Sequence, residues 1–242
     1  MKSTLPAQHL LRQYLLFAFT VTFLLTMFRA GLALWQFPLL EETNAFVALF
    51  VQGLRFDLAL VGILCLVPIV VGSLLSMFDV TRTLARILIS FFLFVSLLLI
   101  LLLELITPWF VHTYALRPDA TTLQNFASSQ DAPLEVVLTV LKEQAIPAVV
   151  AVVLGILVLL AFWARLEMPR FLRYRLSVPG ALATAVLGGV LCVFAIWSTP
   201  DLRKAALGPG DALISTDETV NDLAMNSTYK TLHSIALPYF NQ

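Results

Sequence analysis

Charge is what this sequence has least of. Asp, Glu, Lys and Arg make up 12% of its 242 residues, where a soluble domain carries about a quarter. A chain with so little to cover a wet surface is excluded from the water-soluble globular class. Cysteine is scarce as well. Cys65 and Cys192 are the whole complement, and both lie inside apolar runs. That placement favours buried free thiols over a disulfide. His9, His112 and His233 are too scattered in sequence to combine into a metal site. No Gly-rich phosphate loop, no GxSxG nucleophile elbow and no HExxH pair is present, so no residue stands out as catalytic. Formal net charge is zero, which gives no electrostatic reason for a nucleic-acid partner.

Apolar residues fill the space. They form 60% of the chain, with a mean hydropathy of +0.91. The stretch from Leu10 to Trp35 is too long for a cleaved signal, whose apolar region runs about 7–15 residues. It reads as an uncleaved membrane span.

A span needs about 20 apolar residues. The pattern predicts an all-α polytopic membrane protein with five such helices, over 11–35, 58–77, 84–106, 145–163 and 180–197. The second apolar stretch begins at Phe46. Gly53 and the charges of Arg55 and Asp57 predict a short interfacial helix first, capped by Asn44, and a span only from Leu58. Pro68 is positioned to kink that span. Between the third and fourth spans, Asp131 and Pro133 open a helix with Leu134, Val137, Leu138 and Leu141 on one face. It either lies along the extracytoplasmic interface or packs on neighbouring spans. Residues 198–242 are polar and broken by Pro200 and Gly208-Pro209-Gly210, which predicts short linker helices. Ser215 and Glu218 are spaced as a capping box. Ala181, Ala185 and Gly189 on the last span, and Ala151 and Gly155 on the fourth, are ridges of small residues. They suit close packing of those two spans or dimerisation.

Orientation follows from Lys and Arg. Lys2, Arg12, Arg82, Arg86, Arg165, Arg170, Arg173 and Arg175 fall on one side, with Asp79 and Glu167. Most acidic residues fall on the other. This places the N-terminus in the cytoplasm and, with five spans, the C-terminus outside. Trp35, Trp109, Trp163 and Trp197 fall at span ends, as an aromatic belt requires.

Ionisable groups inside spans are costly, so each is a functional candidate. Arg29, Arg55, Asp57 and Glu104, with His112 and Arg117 just beyond, converge on the extracytoplasmic leaflet. Two readings fit. The arginines can hold a phosphate headgroup through forked hydrogen bonds while a carboxylate takes a glycerol hydroxyl. Alternatively the charges neutralise one another, Arg29 with Glu104 and Arg55 with Asp57 or a neighbour.

Three segments carry a resemblance. The first is Gln52-Gly53-Leu54-Arg55-Phe56-Asp57-Leu58-Ala59-Leu60. The second is Phe110-Val111-His112-Thr113-Tyr114-Ala115-Leu116-Arg117-Pro118-Asp119, followed by Pro133-Leu134-Glu135-Val136. The third is Asn221-Asp222-Leu223-Ala224-Met225-Asn226-Ser227-Thr228-Tyr229. In this order they resemble the membrane domain of the lipoteichoic acid synthase and phosphoglycerol transferase family. His112 or Thr113 stands where that family commonly has an acidic residue. The resemblance implies a bacterial cytoplasmic (inner) membrane protein that anchors a sulfatase-type catalytic domain of the alkaline phosphatase superfamily, in cis or in trans. It implies phosphatidylglycerol as the lipid partner, and a divalent metal, manganese, held by the catalytic domain and not by residues here. Arg29, Arg55, Asp57, Glu104 and Arg117 become the candidates for contact with the headgroup or that domain. The rival expectations are a non-enzymatic membrane scaffold or partner subunit, and the anchor of a related phosphoethanolamine transferase or sulfatase.

Overall fold

The computed structural model describes residues 8–128, 177–198 and 207–240. Among these the secondary structure is helical, without strands. The helices are α1 (Gln8–Trp35), α2 (Phe37–Glu42), α3 (Phe46–Leu75), α4 (Asp79–Tyr114), α5 (Ala120–Ser128), α6 (Val178–Trp197), α7 (Glu218–Ala224) and α8 (Ser227–Phe240), with a 3₁₀ turn at Pro209–Ala212. Within them Tyr14–Trp35, Phe46–Leu75, Ile87–Tyr114 and Val178–Trp197 are long and apolar enough to cross a membrane. Large apolar side chains such as Phe19, Val47, Phe91 and Val186 stand exposed along these four helices. Continuous exposed apolar surface on this scale suits lipid and not water. The chain is a polytopic all-α membrane protein. The expected span at 145–163 and the amphipathic helix after Asp131 lie outside the described residues.

Two boundaries differ from expectation. Helix α3 is continuous from Phe46, with no break before Leu58. Arg55 does not end it, because its guanidinium donates to Gln52 Oε1 one turn earlier on the same helix at 2.8 Å. Asn44 does not cap α3 either. It sits at φ 50°, just past the end of α2. Its N–H donates to the Glu41 carbonyl and that of Ala45 to the Leu40 carbonyl. This is a Schellman closure, in which Asn is one of the few residues to accept a left-handed backbone. Helix α4 runs on past Ile106 and Pro108 to Tyr114. It ends where Ala115 turns left-handed at φ 55° and Pro118 biases Arg117 toward extended backbone.

The chain divides into two compact units. Among the described residues, one comprises 8–24, 57–98 and 177–198 with Leu207. Here α6 approaches α3 backbone to backbone. A Cβ at Gly62 would lie 2.7 Å from the Cys192 carbonyl oxygen, and one at Gly188 would lie 2.4 Å from Ile69 Cγ2. Ala181 and Ala185 are buried on α6. Its N-terminus is capped by Ser177, which accepts from Gly180 N–H, with proline in the first turn. Tyr14 on α1 donates to the Pro68 carbonyl on α3 at 2.8 Å, so α1, α3 and α6 share this core.

The other unit comprises, among the described residues, 25–56, 99–128 and 208–240. Leu32, Leu40, Leu49, Phe56, Ile100, Phe110, Val220, Leu223 and Tyr229 make its apolar core. Its distinguishing content is polar: Arg29, Glu104, Thr107, Arg117, Asn221, Asp222, Asn226 and Ser227 are all buried there.

Candidate functional site

Helix α4 places Glu104 and Thr107 on neighbouring positions of one face, three residues apart. Both are buried. Pro108 follows, and a proline nitrogen cannot return a hydrogen bond to the carbonyl four residues back, which is that of Glu104. Past the end of α4 the chain folds back, and Arg117 Nη1 meets Glu104 Oε2 at 2.9 Å with both side chains 1% exposed. Arg117 Nη1 also donates to Ser227 Oγ at 3.1 Å and Nη2 to the Leu223 carbonyl at 3.4 Å. The other Glu104 oxygen accepts from Ser227 N–H at 2.8 Å. Ser227 is the first residue of α8, so Glu104 serves as an anion at that helix N-terminus, where the exposed backbone N–H groups favour one. Asn226 completes the cap by accepting from Tyr229 N–H at 2.7 Å.

The hydroxyls form a chain with one consistent direction. Thr107 Oγ1 donates to the Leu103 carbonyl at 2.6 Å. The 2.6 Å contact between Thr107 and Ser227 hydroxyls therefore runs from Ser227 to Thr107, and Ser227 accepts from Arg117. A second ion pair closes the cluster. Lys230 Nζ lies 2.7 Å from Asp222 Oδ1 and donates to the Arg117 carbonyl at 3.0 Å. The other Asp222 oxygen accepts from Arg117 N–H. Two carboxylates and two cations cancel, which is the condition under which charges tolerate burial.

Of the residues singled out in the sequence, the structure brings Glu104 and Arg117 together. The expected pairing of Glu104 with Arg29 is replaced by this one. Arg29 is buried elsewhere in the unit, with its guanidinium against Gly53: a Cβ there would lie 2.3 Å from Arg29 Cζ and Nε. Arg55, half-buried, is tied through Gln52, whose side-chain amide donates to the Asp211 carbonyl. Asp57 is fully buried and belongs to the other unit. His112 is exposed, its ring 6.2 Å from that of Trp35.

Asp222, Ser227 and Lys230 are the members of the cluster that sequence reading passes over. The signal was the run Asn221 to Tyr229, whose polar residues act as internal fasteners. Asn221 accepts from Ile214 and Ser215 N–H and donates to the Ser215 carbonyl. The expected Ser215 capping box is also replaced. Asp217 caps α7 by accepting from Val220 N–H at 3.1 Å, and Ser215 accepts from Asp217 N–H instead.

Above the cluster, Asp119 caps α5. Partial burial raises its carboxyl pKa, but hydrogen bonds from Thr122 N–H and from the Thr121 and Thr122 hydroxyls, with the charge of Lys230, outweigh this and leave it below the ordinary 3.8. Burial pushes Tyr229 up to about 12, helped by Asp211. Burial also lowers His233.

An open cleft of about 640 Å³ is lined by Leu39, Glu42, Thr43, Ser215, Thr216 and Asp217. Its charged walls are acidic and suit no phosphate. Among the described residues no group of three or more His, Cys, Asp or Glu side chains is placed to hold a metal. No known family model and no solved structure matches this chain.

Proposed function

We propose that this chain is the membrane-anchoring and lipid-presenting part of a phosphoglycerol-transferase-like enzyme acting on phosphatidylglycerol at the outer face of a bacterial cytoplasmic membrane. The observation that carries the reading is the fastening of residues 208–234 onto α4 by the Glu104, Arg117, Asp222, Ser227 and Lys230 cluster. A catalytic domain joined or docked there is held beside the bilayer and not on a loose tether. Its encounter with a lipid donor then becomes a local event at high effective concentration. The resemblance of three segments to the phosphoglycerol transferase family supplies the substrate class. Arg55 is the candidate for headgroup contact, since it is half-buried on an apolar helix and a guanidinium suits phosphate.

The test uses vesicles of equal phosphatidylglycerol, phosphatidylethanolamine and phosphatidylcholine content, with the lipid that stays bound on extraction read by native mass spectrometry. Phosphatidylglycerol is expected to be enriched on the parent chain and on Arg173→Ala, and depleted on Arg55→Ala. Enrichment of phosphatidylethanolamine would move the reading to a phosphoethanolamine transferase anchor. Lipid ratios equal to those of the bulk bilayer would overturn lipid presentation.

A further inference from the structure

Helix α8 is amphipathic the wrong way round for a helix in water. Its polar residues Ser227, Lys230, Thr231 and Ser234 recur at i, i+3, i+4 and i+7, the spacing of one helix face. That face is turned inward. Ser227 takes the Arg117 side chain, Lys230 the Arg117 carbonyl, Thr231 the Pro118 carbonyl at 3.3 Å and Ser234 the Ala120 N–H at 2.9 Å. The outward positions include Leu232 and Ile235, 37% and 53% exposed. A helix that spends its polar side on a neighbouring backbone and shows leucine and isoleucine outward needs an apolar surrounding.

The depth of α8 says what that surrounding is. Its first residue contacts Glu104 and Thr107 on α4. Trp109, of the residue type that marks the boundary between acyl chains and headgroups, comes later on α4. At a rise of about 1.5 Å per residue, Thr107 and Glu104 lie about 3 and 7.5 Å nearer the membrane interior than Trp109. Tyr229, one short step further along α8, stacks edge-on against Phe56 at 5.3 Å. Phe56 is about 15 Å along α3 from its start at Phe46, by the same rise. The non-helical joint between α7 and α8, at Met225 and Asn226, is buried. Irregular backbone at membrane depth is tolerated only under such protein cover.

We propose that α7 and α8 re-enter the bilayer boundary, and that Leu232 and Ile235 lie against lipid acyl chains. The occupant of this apolar face is the membrane itself. Its exposed surface is continuous in kind with the apolar exteriors of the spans that α8 touches, and its level is set by those contacts. The face acts as an interfacial anchor additional to the spans.

The experiment places an environment-sensitive fluorophore on Leu232→Cys and, separately, Ile235→Cys, with the full chain in lipid nanodiscs. Cys65 and Cys192 are buried, and the unsubstituted chain sets the labelling background. Val51→Cys, exposed on the apolar span α3, is the lipid reference, and Glu218→Cys, exposed on α7, is the aqueous one. Emission from 232 and 235 is expected to shift to the blue, to be quenched by nitroxides carried on lipid chains and to resist aqueous iodide, as at 51. Quenching by iodide as at 218 would overturn the proposal. So would protection from both quenchers, which would mean protein cover. Both substitutions are at exposed positions, so failure to fold is not an expected outcome.

Discussion

At the scale of single residues, the buried charges set the largest energies. Removing one member of a buried ion pair costs about 3–5 kcal/mol, because the survivor stays desolvated without its partner. Glu104→Ala strips Arg117 of its counter-charge and α8 of a capping anion, so it should lower the heat-induced unfolding midpoint in detergent sharply. Replacing Glu104 and Arg117 together by methionine should recover much of that loss, since a well-packed apolar pair is tolerated where a lone charge is not. If the double variant is as weak as Glu104→Ala, the pair is not the unit. Gly53 is a second sensitive position. Its Cβ would fall on the Arg29 guanidinium, and overpacking of this kind costs about 1–3 kcal/mol. Gly53→Ala should therefore destabilise the parent chain but much less an Arg29→Ala chain, a non-additivity that thermal unfolding can measure.

At the scale of elements, helix ends are where backbone and side chain trade. Ala115 ends α4 in the left-handed region, where a Cβ is disfavoured by about 1 kcal/mol or more. Ala115→Gly should raise stability by about that amount in the same measurement, and a loss would show that the turn needs its methyl group. The docking of α5 and α8 should follow pH with a definite sign. Asp119 is held below its ordinary 3.8, so its contribution is complete above that value and is lost as pH falls through the lowered one. Tyr229 is raised from 10.0 to about 12, so its contribution is complete below pH 10 and is lost as pH climbs toward about 12. His233 on α8 is lowered from 6.5 by burial, so its contribution is complete above that value and is lost as pH falls below it. Hydrogen-exchange protection of α8 should hold between about pH 6.5 and 10, weaken first on the acid side as His233 protonates, and decline further at both limits. The Tyr229→Phe variant should keep its protection on the alkaline side.

The same elements show what a linear reading can reach. In the sequence Arg55 and Asp57 read as a boundary, because charge in an apolar run usually marks one. The helix carries them through because Gln52 satisfies Arg55 within one turn, a local solution invisible to hydropathy. Glu104 and Arg117 were legible as expensive charges. Their partners were not, since Asp222, Ser227 and Lys230 look like ordinary tail residues and reach the cluster only through folding. Helix α6 is legible almost to its ends because Ser177, a proline in the first turn and an unbroken apolar run all agree there.

At the scale of the whole molecule, the membrane class follows from four long apolar helices with exposed apolar sides. The proposed orientation sets its own test. With the N-terminus in the cytoplasm and residues 207–240 outside, Glu218→Cys in intact cells should react with a membrane-impermeant maleimide that a cysteine at Lys2 escapes. The opposite pattern would invert the orientation and remove the outer-leaflet function with it.

The bonds between α4 and α8 join residues far apart in the chain: Glu104 reaches Ser227 across 123 positions, and Arg117 reaches Ser227 across 110. During synthesis, then, Glu104 and Arg117 are made and must settle long before the groups that complete their surroundings leave the ribosome. For that interval the nascent chain holds an unfinished polar cluster at the membrane. The cluster closes only after residues 222–230 have been translated, so this part of the fold waits on a segment made well after the helix it fastens to.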